Sequence, residues 1–105
     1  MKVIISVLKE ELANSLAMQK SYQRELAKLP KVSLVKKNIK GHLYYYLVYR
    51  DKGKVRFDYK GHPSQQEIKK YHQGKEYRAK YRKLLSEVNQ QIKYLRSILR
   101  GKKSV

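Results

Sequence analysis

The first thirty residues carry apolar side chains at the spacing of an amphipathic helix. The helix is predicted to end before Pro30, because the residue that precedes a proline is pushed out of helical geometry. We therefore predict one helix over residues 1–29. Its apolar stripe comprises Ile5, Leu8, Leu12, Leu16, Tyr22, Leu26 and Leu29, with Ser15 and Gln19 as polar positions on the same face.

The next segment, residues 31–61, changes to short runs rich in Val, Leu and Tyr that are separated by glycines. The runs cover about 32–39, 42–50 and 54–60, and such runs between turn residues are typical of strands. Loops this short join neighbouring antiparallel strands. The segment therefore predicts a three-stranded antiparallel meander over residues 31–61.

The last two runs form one hairpin, and its turn predicts its register. We assign a three-residue loop, Asp51-Lys52-Gly53, in which Gly53 takes the position that needs a left-handed backbone. This loop predicts a buried apolar face, on which Tyr49 pairs with Val55, Leu47 with Phe57 and Tyr45 with Tyr59. The opposite face would mix aromatic rings with cations, and it would carry Tyr44, Tyr46, Val48, Arg50, Lys54, Arg56, Asp58 and Lys60.

A helical region is predicted over residues 64–100. It opens with a capping box, in which Ser64 is followed three positions later by Glu67. The apolar phase changes near Gly74, which predicts a break at His72 to Gly74 between a short helix and a long one.

The long helix is predicted from about Lys75 to Arg100, and Gly101 with the basic tail Lys102-Lys103 would end it. Its apolar stripe comprises Tyr81, Leu84, Leu85, Val88, Ile92, Leu95, Ile98 and Leu99. We expect this stripe to pack antiparallel on the first helix. The fold class is therefore predicted to be α+β, as a single domain over residues 1–105.

The net charge of the chain indicates what kind of partner it binds. The chain has 26 basic and 8 acidic residues, a formal net charge of +18. A surplus of this size predicts a polyanionic partner, either nucleic acid or an anionic membrane surface. Because a membrane surface is disfavoured, the predicted partner is a nucleic acid or a ribonucleoprotein complex. Cysteine is absent, which favours a reducing, cytoplasmic compartment. No apolar run approaches a membrane span, and the basic helix has no Trp or Phe to insert into a membrane surface.

Six basic residues of the long helix fall within one sector of about 60° beside the apolar stripe. They are Lys75, Arg78, Arg82, Lys93, Arg96 and Arg100. Ser86 and Asn89 lie in the same sector and can also donate to a phosphate. A solvated helix face is the structural alternative, but such faces usually interleave acids, and this region has few. We predict a row about 38 Å long that contacts a phosphate backbone.

The strands supply the remaining candidate contacts. Lys36 and Lys37 in the first run, with Arg50, Lys54, Arg56 and Lys60 in the hairpin, are predicted to bind phosphates. Tyr44 and Tyr46 are candidates for stacking on unpaired bases, with packing under a helix as the alternative. Tyr45, Tyr49 and Tyr59 are predicted to be core residues.

No pattern in the chain indicates an enzyme, a metal site or a cofactor. The three histidines, His42, His62 and His72, are too far apart to resemble a set of metal ligands, and no cysteine assists them. Asp58 and Lys60 have nuclease-like spacing, yet a second acid that would hold a metal is missing. We therefore predict a protein without catalytic residues.

One resemblance covers the middle third of the chain. The segments LPKVSL, KK, GHLYYYLVYR, GKV and YKG resemble small basic helix, β-hairpin and helix proteins of Firmicutes and their phages or mobile elements. The resemblance implies a bacterial or phage-infected host. It also makes the class of small inhibitors of host defence, which includes anti-CRISPR proteins, an alternative.

The sequence thus leads to two functional hypotheses. The first is a non-catalytic nucleic-acid-binding protein that holds the phosphate backbone of RNA or DNA. The second is an inhibitor that docks on a nucleic-acid-handling complex, such as a CRISPR effector or its guide RNA. A chaperone-like helical hairpin is disfavoured by the charge. Association of two copies through the long helices, as a homodimer, stays open.

Overall fold

A computed structural model describes residues 2–102, and the predicted tail residue Lys103 lies outside the described residues. The elements follow the order helix, three strands, helix, so the predicted α+β class is confirmed. They are α1 (Lys2–Lys28), β1 (Ser33–Ile39), β2 (His42–Asp51), β3 (Lys54–Gly61) and α2 (Gln65–Lys102).

The chain divides into two compact units, which we call the helical unit and the sheet unit. The helical unit combines α1 with α2 from Lys80 onward. The sheet unit comprises Leu29–Ala79, which includes the three strands and the first part of α2.

In the helical unit, α1 packs on the second part of α2 in the predicted antiparallel direction. The Gln19 side-chain amide donates to Asn89 Oδ1 at 2.7 Å, and the rings of Tyr22 and Tyr81 lie 6.2 Å apart. Tyr22 follows Gln19 on α1, whereas its partner Tyr81 precedes Asn89 on α2, so the two helices run in opposite directions. The prediction that the long helix packs antiparallel on the first is confirmed.

The core of the helical unit comes from the predicted apolar stripe of α2. Val88, Ile92 and Leu95 are buried, and each contributes roughly 1.5–3 kcal/mol relative to an exposed position. The residue of α1 that is buried most completely is polar, because Ser15 is only 1% exposed. Its hydroxyl has no hydrogen-bond partner among the described residues. An alanine side chain at position 15 would occupy the same space without leaving a buried polar atom unsatisfied.

In the sheet unit, the strands form the predicted antiparallel meander in the order β1-β2-β3. Each connection is a two-residue turn, Lys40-Gly41 and Lys52-Gly53, with both central residues at positive φ. This backbone is the type I′ turn, whose twist matches that of the flanking strands. In the first turn, the Gly41 N–H also donates to Asn38 Oδ1 at 3.0 Å.

The predicted register of the β2–β3 hairpin is wrong by one residue. Asp51 pairs with Lys54, Val48 with Phe57 and Tyr46 with Tyr59. The cause is Lys52, which takes a left-handed conformation at φ 52° and shortens the loop from three residues to two. Because side chains alternate along a strand, a one-residue shift moves every β3 side chain to the other face of β2.

The predicted burial of the Leu47/Phe57 face is also wrong. Every residue of the three strands is half-buried or exposed. Phe57 is 53% exposed and Tyr59 is 62% exposed, so Tyr59 is not a core residue. Tyr45 and Tyr49 are half-buried.

The start of α2 follows the capping prediction. The Glu67 N–H donates to Ser64 Oγ at 3.2 Å, and the Ile68 N–H donates to the Ser64 carbonyl at 3.0 Å. The carboxylate of Glu67 pairs with Lys60 Nζ at 3.3 Å. Ser64 therefore satisfies backbone donors that the first helical turn leaves without intrahelical partners.

The predicted break near Gly74 is wrong, because α2 is one helix of 38 residues. A glycine within a helix costs about 1 kcal/mol, which strong helix formers on both sides outweigh. The change of apolar phase coincides with the boundary between the two units, because residues before and after Lys80 belong to different units. Neither described helix has the combination of length and apolar content that crossing a membrane requires.

Candidate nucleic-acid interface

The register of the sheet gathers aromatic side chains on one face, which we call the aromatic face. Tyr46 lies between Val35 on β1 and Tyr59 on β3, and Val48 lies between Ser33 and Phe57. Tyr44, two positions before Tyr46 on β2, points to the same side. The aromatic face is therefore formed by Tyr44, Tyr46, Phe57 and Tyr59, together with Val35, Lys37, Val48, Arg50 and Val55.

The rings of this face contact one another in a continuous group. The Tyr59 ring lies 5.5 Å from the Tyr46 ring, with their planes at 62°, and 6.1 Å from the Tyr44 ring. The Tyr44 ring also lies 5.7 Å from His62 and 6.4 Å from His42. Such tilted and edge-to-face pairs add about 0.5–1.5 kcal/mol beyond their buried area. The rings therefore hold each other in place, with Tyr59 exposed and Tyr44 and Tyr46 half-buried.

A single lysine lies over two of these rings. Lys37 Nζ is 5.0 Å from the centre of the Tyr46 ring and 4.7 Å from the centre of the Phe57 ring. An ammonium group over aromatic faces at an exposed site is stabilised by about 0.5–1 kcal/mol. The aromatic face thus carries a positive charge among its rings.

Three apolar or aromatic side chains of β3 on this face are exposed. Tyr59 is 62% exposed, Phe57 53% and Val55 52%. A group of exposed apolar side chains marks a binding surface more often than an ordinary exterior. Since rings and cations are mixed here, the surface has the two groups that single-stranded nucleic acid requires, π-faces for bases and positive charge for phosphates.

The opposite face of the sheet carries polar and charged side chains that bind one another. Arg56 Nε lies 3.3 Å from Asp51 Oδ2, and Tyr49 Oη donates to Asp58 Oδ2 at 2.8 Å. The hydrogen bond to the Asp58 carboxylate stabilises the protonated phenol and raises the pKa of Tyr49 above its ordinary value. Partial burial and the negative charge of Asp58 act in the same direction.

The predicted grouping of hairpin cations with Tyr44 and Tyr46 is therefore wrong for three residues. Lys54 and Arg56 pair with Asp51 and Tyr49 on the opposite face, as the shifted register requires. Lys60 lies at a bulge and forms an ion pair with Glu67, at 3.3 Å. Lys36 also lies on the opposite face, since it pairs with Tyr45. The cations that remain with the rings are Lys37 and Arg50.

The second predicted surface, the cationic row of α2, is partly formed. Within the helical unit, Arg82, Lys93, Arg96 and Arg100 are all exposed. Ser86 and Asn89 lie between Arg82 and Lys93, and these four residues line one shallow depression of about 400 Å³. Lys93, Arg96 and Arg100 line a second, larger groove.

Two residues of the predicted cationic row, Lys75 and Arg78, belong to the sheet unit, and they differ in exposure. Lys75 is exposed, as a phosphate contact requires. Arg78 is only 6% exposed, and its guanidinium donates a hydrogen bond to the Pro30 carbonyl. The prediction that Arg78 contacts phosphate is therefore wrong. Its guanidinium instead binds a backbone carbonyl of the segment that joins α1 to β1.

Most candidate cations are not neutralised within the described part of the chain. The ion pairs between described side chains are Lys28–Glu25, Arg56–Asp51 and Lys60–Glu67. The candidates that lie outside these pairs are Lys36, Lys37, Arg50, Lys54, Lys75, Arg82, Lys93, Arg96 and Arg100. Each unit has thirteen basic and four acidic residues, so both units carry the surplus.

Phe57 and Tyr59 are the candidate residues that sequence reasoning missed. They were predicted for the core, because a three-residue loop placed them with Leu47 and Tyr45. The pattern that identifies them is the dipeptide Lys-Gly between the strands, which occurs at both turns. Had Lys52 been assigned to the left-handed region, the two-residue turn would have placed both rings beside Tyr46.

Within residues 2–102 there is no group of three His, Cys, Asp or Glu side chains that could hold a metal ion. Comparison of the chain with protein-family models, curated proteins and solved structures gives no match. The resemblance to small basic proteins of Firmicutes stays a prediction.

Proposed function

We propose that this chain is a non-catalytic nucleic-acid-binding protein that holds a single strand on the aromatic face of its sheet. The observation that carries the proposal is the ring group Tyr44, Tyr46, Phe57 and Tyr59, in which Phe57 and Tyr59 are exposed and Tyr44 and Tyr46 half-buried, with the Lys37 ammonium over two of its rings. Bases of the strand stack on the rings, and phosphates bind the nearby cations.

A single strand fits this face better than a duplex does. In a duplex the flat faces of the bases are covered by their neighbours, so aromatic side chains have nothing to stack on. In a single strand each base can turn a face to a protein ring, and this contact contributes about 1–3 kcal/mol per base. Four rings on one sheet are consistent with a strand that places more than one base on the face.

Backbone contacts follow from the positions of the cations. Lys37 lies among the rings, and Arg50 lies on the same face near the β2–β3 turn. A strand that crosses the sheet passes both, while the other exposed lysines add a longer-range field. Each phosphate neutralised on a single strand changes the slope of log K against log salt by about −0.7. Two to four contacts predict a slope of about −1.4 to −2.8.

The test is fluorescence anisotropy with a labelled 12-nucleotide oligo(U) RNA, the corresponding oligo(dT) DNA and an RNA duplex of the same length, each titrated across salt. We expect both single strands to bind more tightly than the duplex at every salt concentration, with the slope given above. A preference for the duplex, or a slope near zero, would refute the proposal. The RNA and DNA arms show whether the 2′-hydroxyl contributes.

Purification from cells with and without nuclease separates this proposal from the inhibitor hypothesis. Bulk nucleic acid that travels with the protein and is lost after nuclease treatment supports direct strand binding. A single stoichiometric protein partner that survives nuclease treatment, with no affinity of the purified chain for oligonucleotides, supports the inhibitor instead.

A further inference from the structure

The helical unit contains a groove that strand binding on the sheet does not use. The groove runs between α1 and α2 and encloses about 1050 Å³. Its lining extends from Ile5 to Gln19 on α1 and from Asn89 to Arg100 on α2. At 1.5 Å per residue these stretches are about 21 Å and about 16 Å long. The Gln19–Asn89 hydrogen bond joins the two helices at one end.

The floor of the groove is apolar. Ile5 and Leu12 contribute from α1, and Ile92 and Leu99 contribute from α2. Ile92 is buried, whereas Ile5, Leu12 and Leu99 are half-buried and keep part of their surface open to the groove. A floor of aliphatic side chains favours an occupant with an apolar face of its own.

Both sides of the groove carry positive charge. Lys9 lies on the α1 side, and Lys93, Arg96 and Arg100 lie on the α2 side. No acidic residue is among those that line the groove in the described chain. The α2 cations follow the spacing i, i+3 and i+7, so they extend for about 10 Å along the helix axis.

We propose that this groove binds an amphipathic α-helix of a partner protein, three to four turns long, with aliphatic residues on one face and acidic residues beside them. The apolar face fits the floor, and acids spaced along the helix meet the cations at matching intervals. The length of the lining accommodates about 11–14 helical residues. The partner is thus a protein segment rather than the nucleic acid of the sheet.

Other occupants fit the charge pattern less well. A second copy of this chain would bring a helical unit with the same surplus of positive charge against these cations. A fatty acid carries one carboxylate at one end, whereas the cations here are distributed along the groove. A nucleic acid would match the cations but would leave the aliphatic floor without an apolar partner.

The test uses the full chain and a synthetic 14-residue peptide probe with Leu at positions 1, 4, 8 and 11, Glu at the flanking positions and blocked termini. We expect the peptide to bind by fluorescence anisotropy and to gain helical circular dichroism on binding. The double variant R96E/R100E should weaken binding on the order of tenfold or more, because it replaces two attractions with two repulsions.

The matched control is K20E/K83E, which changes net charge by the same amount at exposed positions outside the groove. It should change the peptide affinity less than twofold. A peptide with Lys in place of Glu should bind R96E/R100E better than the parent chain. Equal loss in both double variants would overturn the proposal, because it would show a diffuse attraction with no defined site.

Two further measurements test whether the groove binds nucleic acid or a second copy of this chain instead of a helix. Displacement of the peptide by 12-nucleotide oligo(U), with oligo(U) binding lost in R96E/R100E, would assign the groove to nucleic acid and overturn the proposal. A sedimentation experiment that finds a dimer of the parent chain and a monomer of R96E/R100E would assign it to a second copy and would also overturn it.

Discussion

Truncation of Tyr59 is the sharpest test of the aromatic face. The substitution Tyr59→Ala removes a ring that contacts Tyr44 and Tyr46 and is 62% exposed. If stacking on this ring contributes about 1–3 kcal/mol, the affinity for 12-nucleotide oligo(U) should fall about 5- to 150-fold. The measurement is fluorescence anisotropy at fixed salt, because a change in salt would alter the electrostatic contribution at the same time.

The substitution also lowers folding stability, and a control can match this cost. About two-fifths of Tyr59 is buried, and for a side chain that buries up to about 200 Å² this corresponds to about 2 kcal/mol of folding free energy. Tyr94, on α2, is 67% exposed, so Tyr94→Ala should cost a similar amount. Both variants should be compared by thermal unfolding before binding is measured.

The two tyrosines should then differ in binding alone. Tyr94→Ala should change the affinity less than twofold, because its ring is not part of the aromatic face. Tyr59→Phe should retain the affinity of the parent chain, since stacking needs the ring and not the hydroxyl. Equal affinities of Tyr59→Ala and Tyr94→Ala would refute the reasoning, and so would a Tyr59→Phe variant that binds as weakly as Tyr59→Ala.

Three further predictions concern stability. Ser15→Ala should raise the free energy of unfolding by about 1–2 kcal/mol in chemical denaturation, because it removes a buried hydroxyl without a partner and improves helix propensity; a loss of stability would show that the hydroxyl is satisfied. Lys52→Asn should raise the melting temperature by a few degrees, since asparagine tolerates the left-handed region, while the control Lys54→Asn should not. Since the pKa of Tyr49 is raised in the folded state, its hydrogen bond to Asp58 should stabilise the fold below the ordinary tyrosine pKa of 10.0 and be lost as pH rises through the folded value. Tyr49→Phe should therefore lower stability at neutral pH and show a smaller decline in alkali, and a decline identical to that of the parent chain would contradict this.

The helices and strands could be predicted from the sequence because their patterns are local. The 3.6-residue periodicity of α1, the proline after it and the Ser64 cap of α2 each depend on neighbouring residues. The break at Gly74 could not be judged in this way. The change of apolar phase accompanies the boundary between the two units, and only the backbone conformation shows that the helix continues through it.

Prediction of the candidate interface from the sequence depended on one backbone angle, the φ of Lys52. Tyr44 and Tyr46 were correctly placed on one face of β2, because alternation within a strand is certain once the strand is known. Their neighbours on β3 depended on whether Lys52 adopts positive φ, which lysine does less readily than glycine. Burial of Arg78 could not be predicted for another reason, because its hydrogen-bond acceptor, the Pro30 carbonyl, lies 48 positions away in the sequence.

The strands pair with neighbours in the chain, whereas α1 packs on residues far away in the sequence. This difference affects the order in which the two units fold during synthesis on the ribosome. The strands are joined by two-residue turns, so a nascent chain can close the sheet soon after β3 emerges. In contrast, Gln19 and Asn89 are 70 positions apart. At 5–20 residues per second, α1 is complete about 3–10 s before the second part of α2 begins to appear. During that interval the apolar stripe of α1 has no partner from its own unit, and the emerging polypeptide presents it to chaperones and to other nascent chains.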